Sequence, residues 1–392
     1  MAEFMGYVRP DGSVGVRNHL LILSGTVYAN TICDNIANMI QGAVSITHPN
    51  GRCQVIPDLR LTRRFLSGTG ANPNVAACIV IDHFREEGCT AEDIADDILS
   101  LRPGMPVATV NIRGEGGYIS AMERAMRLAQ EFARDISENV RESVPLSEIL
   151  FGTECGTSDT TSGLASNPAN GIASELLIAQ GGRTILAECT EWMGCENWLT
   201  SRAINEEVAE RIIAGVQHME QRALASGEDI RGSQPTGDNM LGGLTTIEEK
   251  SMGACKKVGD SPIIEYLEIA EAPTSKEPGV YVMYGPGHGA ESISSMAAAG
   301  CQVLTFCTGG GHTSNHPIMP TIKVTGNRNS YELMRDTVDI DVSGIFFDEL
   351  TLDEAGQIVF DEVVRVSNGR LTKSEALKDN NSFAIHRIGP SI

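Results

Sequence analysis

The chain has 392 residues, 41% of them hydrophobic and 5% aromatic, enough apolar material for one large domain or two to three smaller ones. Fibrous and small disulfide-stapled proteins are excluded, and 30 basic against 51 acidic side chains give a formal charge of −21 that argues against nucleic-acid binding. No run is long and apolar enough to span a bilayer, the start lacks a signal-peptide pattern, and none of the ten cysteines falls in a CxxC pair; reduced thiols in a cytoplasmic protein are expected.

In chain order, Gly6 to Gly12 reads as a turn leading through Gly15-Val16-Arg17-Asn18-His19 into an apolar strand, Leu20 to Ser24. A helix is expected over Asn30 to Met39, with Ile32, Ile36, Met39 and Ile40 on one face. Val44 to Thr47 reads as a short strand emptying into His48-Pro49-Asn50-Gly51. Further helices are expected at Asp58 to Leu66, Ile94 to Leu99 and Ile119 to Ala133, with strands at Val75 to Ile81 and Val107 to Ile112. A linker near Glu138 to Leu146 separates an N-terminal unit, 1–140, from a C-terminal unit, 147–392. There the pattern repeats, with strands near Phe151, Thr184 to Ala187, Val280 to Tyr284, Val303 to Phe306 and Thr321 to Val324. Helices are expected at Ile172 to Gln180 and Ser201 to His218, a loop at Gly232 to Gly243, and no site in the tail from Thr351. Short apolar strands alternating with helices define an α/β fold of repeated units with mainly parallel sheets, whose sites lie in the glycine-rich loops at strand ends.

Those loops carry the candidate chemistry. His48 leaves a strand into a turn, where an imidazole serves as a base or a metal ligand, or as a plain surface histidine. Glu154-Cys155-Gly156-Thr157-Ser158-Asp159 joins a metal-binding thiol to hydroxyls and a carboxylate suited to a small acid; Ser158 or Asp159 could equally cap a helix. Glu188 and Glu191 follow the strand ending at Ala187, where a buried carboxylate can accept a proton or hold a metal. Lys250 can bind an anionic substrate group as a point cation, or lie on an exposed helix turn. Backbone N–H groups of Gly310 and Gly311 suit a carboxylate or sulfonate, with His312 the preferred metal-ligand candidate among the nearby histidines. Arg17 and Lys323 are further anion partners.

Five segments taken in order resemble the large-domain family of altronate and galactarate dehydratases, which also contains the large subunit of sulfolactate sulfo-lyase. They are Gly6 to Gly12 with Gly15 to His19; Cys155 to Asp159 with Ser162-Gly163 and Asn167-Pro168-Ala169; Gly182 through Glu188 and Glu191; Asn239 to Lys250; and Gly300 through Phe306, Thr308 to Gly311 and Pro320 to Lys323. The resemblance implies a metal-dependent lyase, usually ferrous, that eliminates water or sulfite from a small hydroxy acid to leave a 2-oxo acid. On that reading His48, Glu188, Glu191 and Lys250 are catalytic, and His48, Cys155, Glu188 and His312 hold the metal. Arg17, Asn18, Thr157, Ser158, Asp159, Lys323, Gly310 and Gly311 then bind substrate. Full dehydratases carry a small domain ahead of the large one, so here that domain is expected to be absent or supplied by a separate small subunit within an oligomer, while charge and hydropathy point to neither nucleic acid nor membrane. Cys53 follows Gly51-Arg52 rather than sitting in the family's Gly-Cys-Gly turn, and Asp82-His83-Phe84 replaces its Gly-Cys-Glu. The alternative function is a non-catalytic partner subunit of a heteromeric enzyme.

Overall fold

The computed structural model describes residues 2–84 and 87–392. The chain opens on β1 (Glu3–Val8), turns at Arg9 to Gly12, and returns as the two-residue β2 (Val14–Gly15). It continues through β3 (His19–Ser24), α1 (Asn30–Met39), β4 (Ala43–Ile46), α2 (Ile56–Gly70), β5 (Val75–Asp82), α3 (Ala91–Leu101), β6 (Val107–Asn111) and α4 (Tyr118–Ile136) to β7 (Glu142–Pro145). Strands β4-β3-β5-β6 form a four-stranded parallel sheet in that order. Successive side chains point to opposite faces, so Leu20 and Ile22 meet α1 and α4, while Leu21 and Leu23 meet α2 and α3. With helices on both faces, β5 is buried at every position.

Two local readings change here. Of the segment expected as a turn, Arg9 to Gly12 does turn but Gly6 to Val8 is strand, and the expected linker contains β7, which pairs antiparallel with β1 from Glu3↔Pro145 to Gly6↔Glu142. Glycine and proline masked the strand at Gly6, where a Cβ would fall 2.4 Å from Val14 Cγ1.

The C-terminal unit contains β8 (Leu150–Gly156), α5 (Asn167–Ala179), β9 (Arg183–Leu186), β10 (Ile263–Leu267), β11 (Gly279–Met283), β12 (Val303–Thr308), β13 (Thr321–Thr325) and β14 (Ile340–Asp341). All seven strands are parallel, in the order β10-β11-β9-β8-β12-β13-β14. The chain steps from β8 to β9 on one side, then returns through β12 on the other. Such a reversal leaves a crevice at the carboxyl ends of the central strands, the usual ligand site of an open parallel sheet. The helix expected from Ser201 begins at Glu206, where Asn205 Oδ1 caps the Val208 N–H at 2.9 Å. The stretch expected as a loop holds short helices at Ile230–Ser233 and Gly237–Leu241.

The two units share one buried apolar cluster, in which Leu59, Leu61, Phe65 and Leu66 of α2 join Ala298 and Ile318, and buried polar side chains cross the same junction. Asn72 Nδ2 donates to the carbonyls of Ala297 (2.7 Å) and Cys301 (2.9 Å), and Asn74 Nδ2 to those of Gln302 and Ile318. Such groups must find partners when buried, so these asparagines fix the docking angle. No helix among the described residues is long and apolar enough to cross a membrane.

Candidate active site and metal centre

β8 and β9 run side by side and end together, so Cys155 and Glu188 emerge at the same crevice. Glu188 has φ +69°, a left-handed conformation that costs a non-glycine residue about 1–3 kcal/mol. The bend starts a 3-10 turn over Cys189–Trp192, whose Glu191 N–H donates to the Glu188 carbonyl at 2.8 Å. Both carboxylates therefore return to the end of β8. Below them lies Lys257, in the turn after the helix Ile247–Cys255. Its carbonyl accepts hydrogen bonds from Asn170 Nδ2 (2.8 Å) and Ser174 Oγ (3.2 Å) of α5, which hold the lysine under the cluster.

Lys257 Nζ donates to Cys155 Sγ at 3.2 Å, Glu188 Oε2 at 3.1 Å and Glu191 Oε2 at 3.0 Å, with the lysine fully buried. The Cys155 thiol also donates to Glu191 Oε2 at 3.3 Å. Behind Glu188 lies Glu154, buried, with Oε2 accepting from Ser292 Oγ at 2.6 Å. Burial, reinforced by neighbouring Glu188, pushes the Glu154 carboxyl well above the carboxylate range. Burial and Glu191 also lift Glu188, against the pull of Lys257, to about 7. Burial would raise Glu191 too, but the Lys257 and Lys250 ammoniums outweigh it and hold Glu191 below its usual range. Burial and then Glu191 push the Cys155 thiol up, keeping it protonated. For Lys257 burial favours the neutral amine, yet the acidic groups around it, Cys155 and Glu191 foremost, prevail and keep it charged.

Cys155, Glu188 and Glu191 offer ligand atoms within 4.8 Å of one another, the one such group found among the described residues. One ammonium faces three carboxyl groups and a thiol, and Glu154 Oε1 is buried without a hydrogen-bond partner. With the Cys155 proton displaced, its sulfur and the Glu188 and Glu191 oxygens form a compact donor set for a divalent cation, and sulfur beside carboxylate suits a transition metal better than magnesium. On that donor chemistry the cluster can hold a divalent ion.

Glu191 also lines a cavity of about 320 Å³. Its wall includes Lys250, whose Nζ donates to Gln234 Oε1 at 2.8 Å, and Ser251, whose buried Oγ has no partner. Thr190 and His288 complete the polar lining. The space suits a small acid, with a cation on the wall and an ionised carboxylate at the inner end.

The remaining expected site residues lie in other settings. Both ring nitrogens of His48 are engaged: Nε2 donates to the Ser24 carbonyl at 2.7 Å and Nδ1 accepts from the Asn50 N–H at 3.1 Å. His48 and His312 are outside the three-ligand group. His312 stacks on Phe306 with centroids 4.6 Å apart, and its Nδ1 accepts from the Ser314 N–H. Arg17 uses all five donors on Glu375 and the carbonyls of Val16, Val366 and Arg370, tying the two units together. Asn18 joins Arg9, Asn139 and the Ile136 carbonyl. The Thr157 carbonyl accepts from the N–H groups of Gly309 and Gly310, and Gly311 N–H donates to Thr308 Oγ1. The Ser158 carbonyl accepts from Asn239, while Asp159 accepts from Thr161, Ser162 and Asn327. Lys323 is buried, donates to Ser374 Oγ at 2.6 Å, and is pushed by burial down to about 8.

Lys257 and Ser251 were not among the expected site residues, and Glu154, named in the Cys155 segment, was given no role of its own. It is a lone acid inside a buried strand, which marks it in the sequence.

Residues 146–391 match the C-terminal domain of D-galactarate/altronate dehydratases, and residues 6–137 match the second domain of D-galactarate dehydratase/altronate hydrolase. The chain is 39% identical over 389 residues to the (2R)-sulfolactate sulfo-lyase subunit beta of Chromohalobacter salexigens, covering 98% of this chain and 97% of that one. It is 29% identical to the altronate dehydratase of Bacillus subtilis and 28% to the L-threo-forming galactarate dehydratase of Escherichia coli. Each alignment spans 99% of this chain, and 78% and 77% of those relatives respectively.

Proposed function

The chain belongs to the D-galactarate/altronate dehydratase family and is a lyase of that type, and we propose that it eliminates water or sulfite from a small hydroxy acid held in the cavity beside Glu191. The observation that carries this reading is the opening of the buried Cys155–Glu188–Glu191–Lys257 cluster, through Glu191, onto a cavity with a lysine on its wall. Lys250 binds the substrate carboxylate or sulfonate, and the unpartnered Ser251 hydroxyl donates to a substrate oxygen.

Cys155, Glu188 and Glu191 hold the metal, which we take to be ferrous iron. When bound, it supplies Lewis-acid stabilisation of the charge that builds beside the substrate carboxylate, worth several kcal/mol. Glu188 is the base that takes the C2 proton; its pKa of about 7 belongs to the metal-free site, and a bound cation would lower it and keep the carboxylate ionised at neutral pH. The electron pair of the broken C2–H bond becomes the C2=C3 double bond as hydroxide or sulfite leaves C3 with the pair of its own bond, and the enol tautomerises to the 2-oxo acid. Lys257 keeps Glu188 and Glu191 apart in charge and steadies both in position. His48 and His312 serve as supports of the surrounding loops.

Since its relative is named as a beta subunit, we place this chain in a complex with a small subunit. We assign it to the cytoplasm because all ten cysteines are free thiols. The test is to incubate the anaerobic, iron-restored chain, with and without its small partner, with (2R)-sulfolactate, altronate and galactarate. Release of 2-oxo acid, with sulfite from sulfolactate, supports the reading. No product from any of the three in either setting overturns it.

A further inference from the structure

Four residues before His288, Tyr284 lines a separate cleft of about 370 Å³ whose charge is opposite to that of the chain as a whole. Arg60 and Arg64 reach it from α2, His218 and Arg222 from the helix Glu206–Ala225, and His386 from the C-terminal tail. The tail is pinned there by Asp58, whose carboxylate accepts from the N–H groups of Ile388 and Gly389. The cleft is thus built from both units and held in shape.

Among the described residues none of the three arginines pairs with a carboxylate. Arg60 has no hydrogen-bond partner, Arg64 donates to the Ile269 carbonyl at 3.2 Å, and Arg222 donates to His386 Nε2 at 3.1 Å and Tyr284 Oη at 3.5 Å. The acid in the lining, Glu268, is paired with Arg211 at 3.4 Å. Acidic side chains outnumber basic ones 51 to 30 in this chain, so three arginines left without counter-ions in one concavity are not a chance of composition. Guanidiniums present several fixed donors and suit oxyanions with three or four acceptor oxygens.

We propose that this cleft binds a small tetrahedral oxyanion of the phosphate type, as a free ion or as the phosphoryl group of a metabolite. The site also adjoins the catalytic cavity chemically. Because Arg222 only donates, His386 accepts at Nε2 and carries its proton on Nδ1, which donates to Glu291 Oε2 at 2.6 Å. Glu291 Oε1 meets His288 Nδ1 at 3.2 Å, on the wall of the catalytic cavity. An anion drawing on Arg222 therefore acts on a continuous polar chain ending at that wall.

Calorimetric titration of the full-length chain with inorganic phosphate and with glycerol phosphate, at ionic strength held constant with potassium chloride, tests the proposal. One saturable site per chain is expected, about tenfold weaker in Arg60→Gln and in Arg222→Gln, as one charge-assisted hydrogen bond is lost in each. Arg60 is exposed and unpartnered, so its variant keeps the wild-type unfolding temperature. The tighter of the two ligands identifies the source of the phosphoryl group. No saturable binding by the wild type, undiminished binding by both arginine variants, or binding lost in Lys250→Gln but not Arg60→Gln would overturn the proposal.

Discussion

Glu188 combines three properties rarely found together in one carboxylate. It has a left-handed backbone, it touches a buried ammonium, and its pKa is raised to about 7. Strain of that kind persists only where the surroundings enforce it, and it gathers at sites of function. As a base Glu188 must be ionised; about 7 is its pKa without the metal, and a bound cation lowers it, so kcat/KM of the loaded enzyme should fall tenfold per pH unit below an apparent pKa under 7 and level off above it. In Glu188→Gln that limb should vanish and kcat should drop by about 10²–10⁴. An unchanged acid limb in the variant would assign the proton to another group. At this scale the sequence reveals Cys155, Glu188 and Glu191, because acids and a thiol cluster after apolar strands. Lys257 is hidden by its neighbour: Lys256 pairs with Asp260 at 2.9 Å near the surface, and nothing in the dipeptide tells which of the two turns inward.

Among the elements, α5 does most to set the site, because it grips the turn that carries Lys257. Gly171 lets it come close: a Cβ there would lie 2.3 Å from the Lys256 carbonyl oxygen. Helix propensity alone favours Gly171→Ala by about 1 kcal/mol. The close approach should prevail, giving a net loss of about 1–3 kcal/mol in urea unfolding. A stabilised Gly171→Ala chain would show that α5 does not clamp the turn. The four strands of the first sheet and five of the seven in the second were legible because a parallel sheet covered on both faces leaves continuous apolar runs, as in β5, whereas β10 and β14 were not expected. The start of β1 and the whole of β7 were not, since their partners lie over a hundred residues away and their own composition is that of loops. The tail from Thr351, read only as carrying no site, contains the helix Leu352–Ser367, and its capping box of Thr351 and Glu354 was readable as a helix start. Its packing on α5 was not, because that contact is tertiary.

Over the whole molecule, buried titratable groups oppose one another. Burial holds His48 down to about 4 and His316 to about 3, from 6.5 in the unfolded chain. Between pH 6.5 and 4 the unfolded chain therefore takes up protons that the native state refuses, and stability falls with pH by roughly 3 kcal/mol for each histidine. Glu188 has the opposite sign: its folded pKa is raised, so its contribution is present at low pH and lost as pH rises through about 7. Replacing His48 by Gln should make the acid limb of the stability curve shallower by roughly 3 kcal/mol between those limits, read by chemical unfolding at several pH values. An identical pH dependence would mean that His48 is charged in the native state.

The central claim is that Cys155, Glu188 and Glu191 hold one divalent ion, and the most direct measurement is metal content after anaerobic loading and desalting. The wild type should retain about one ion per chain, and Cys155→Ala and Glu191→Ala should each retain almost none while His48→Gln and His312→Gln remain loaded. Full occupancy in the Cys155 and Glu191 variants, with loss in the histidine variants, would contradict the account.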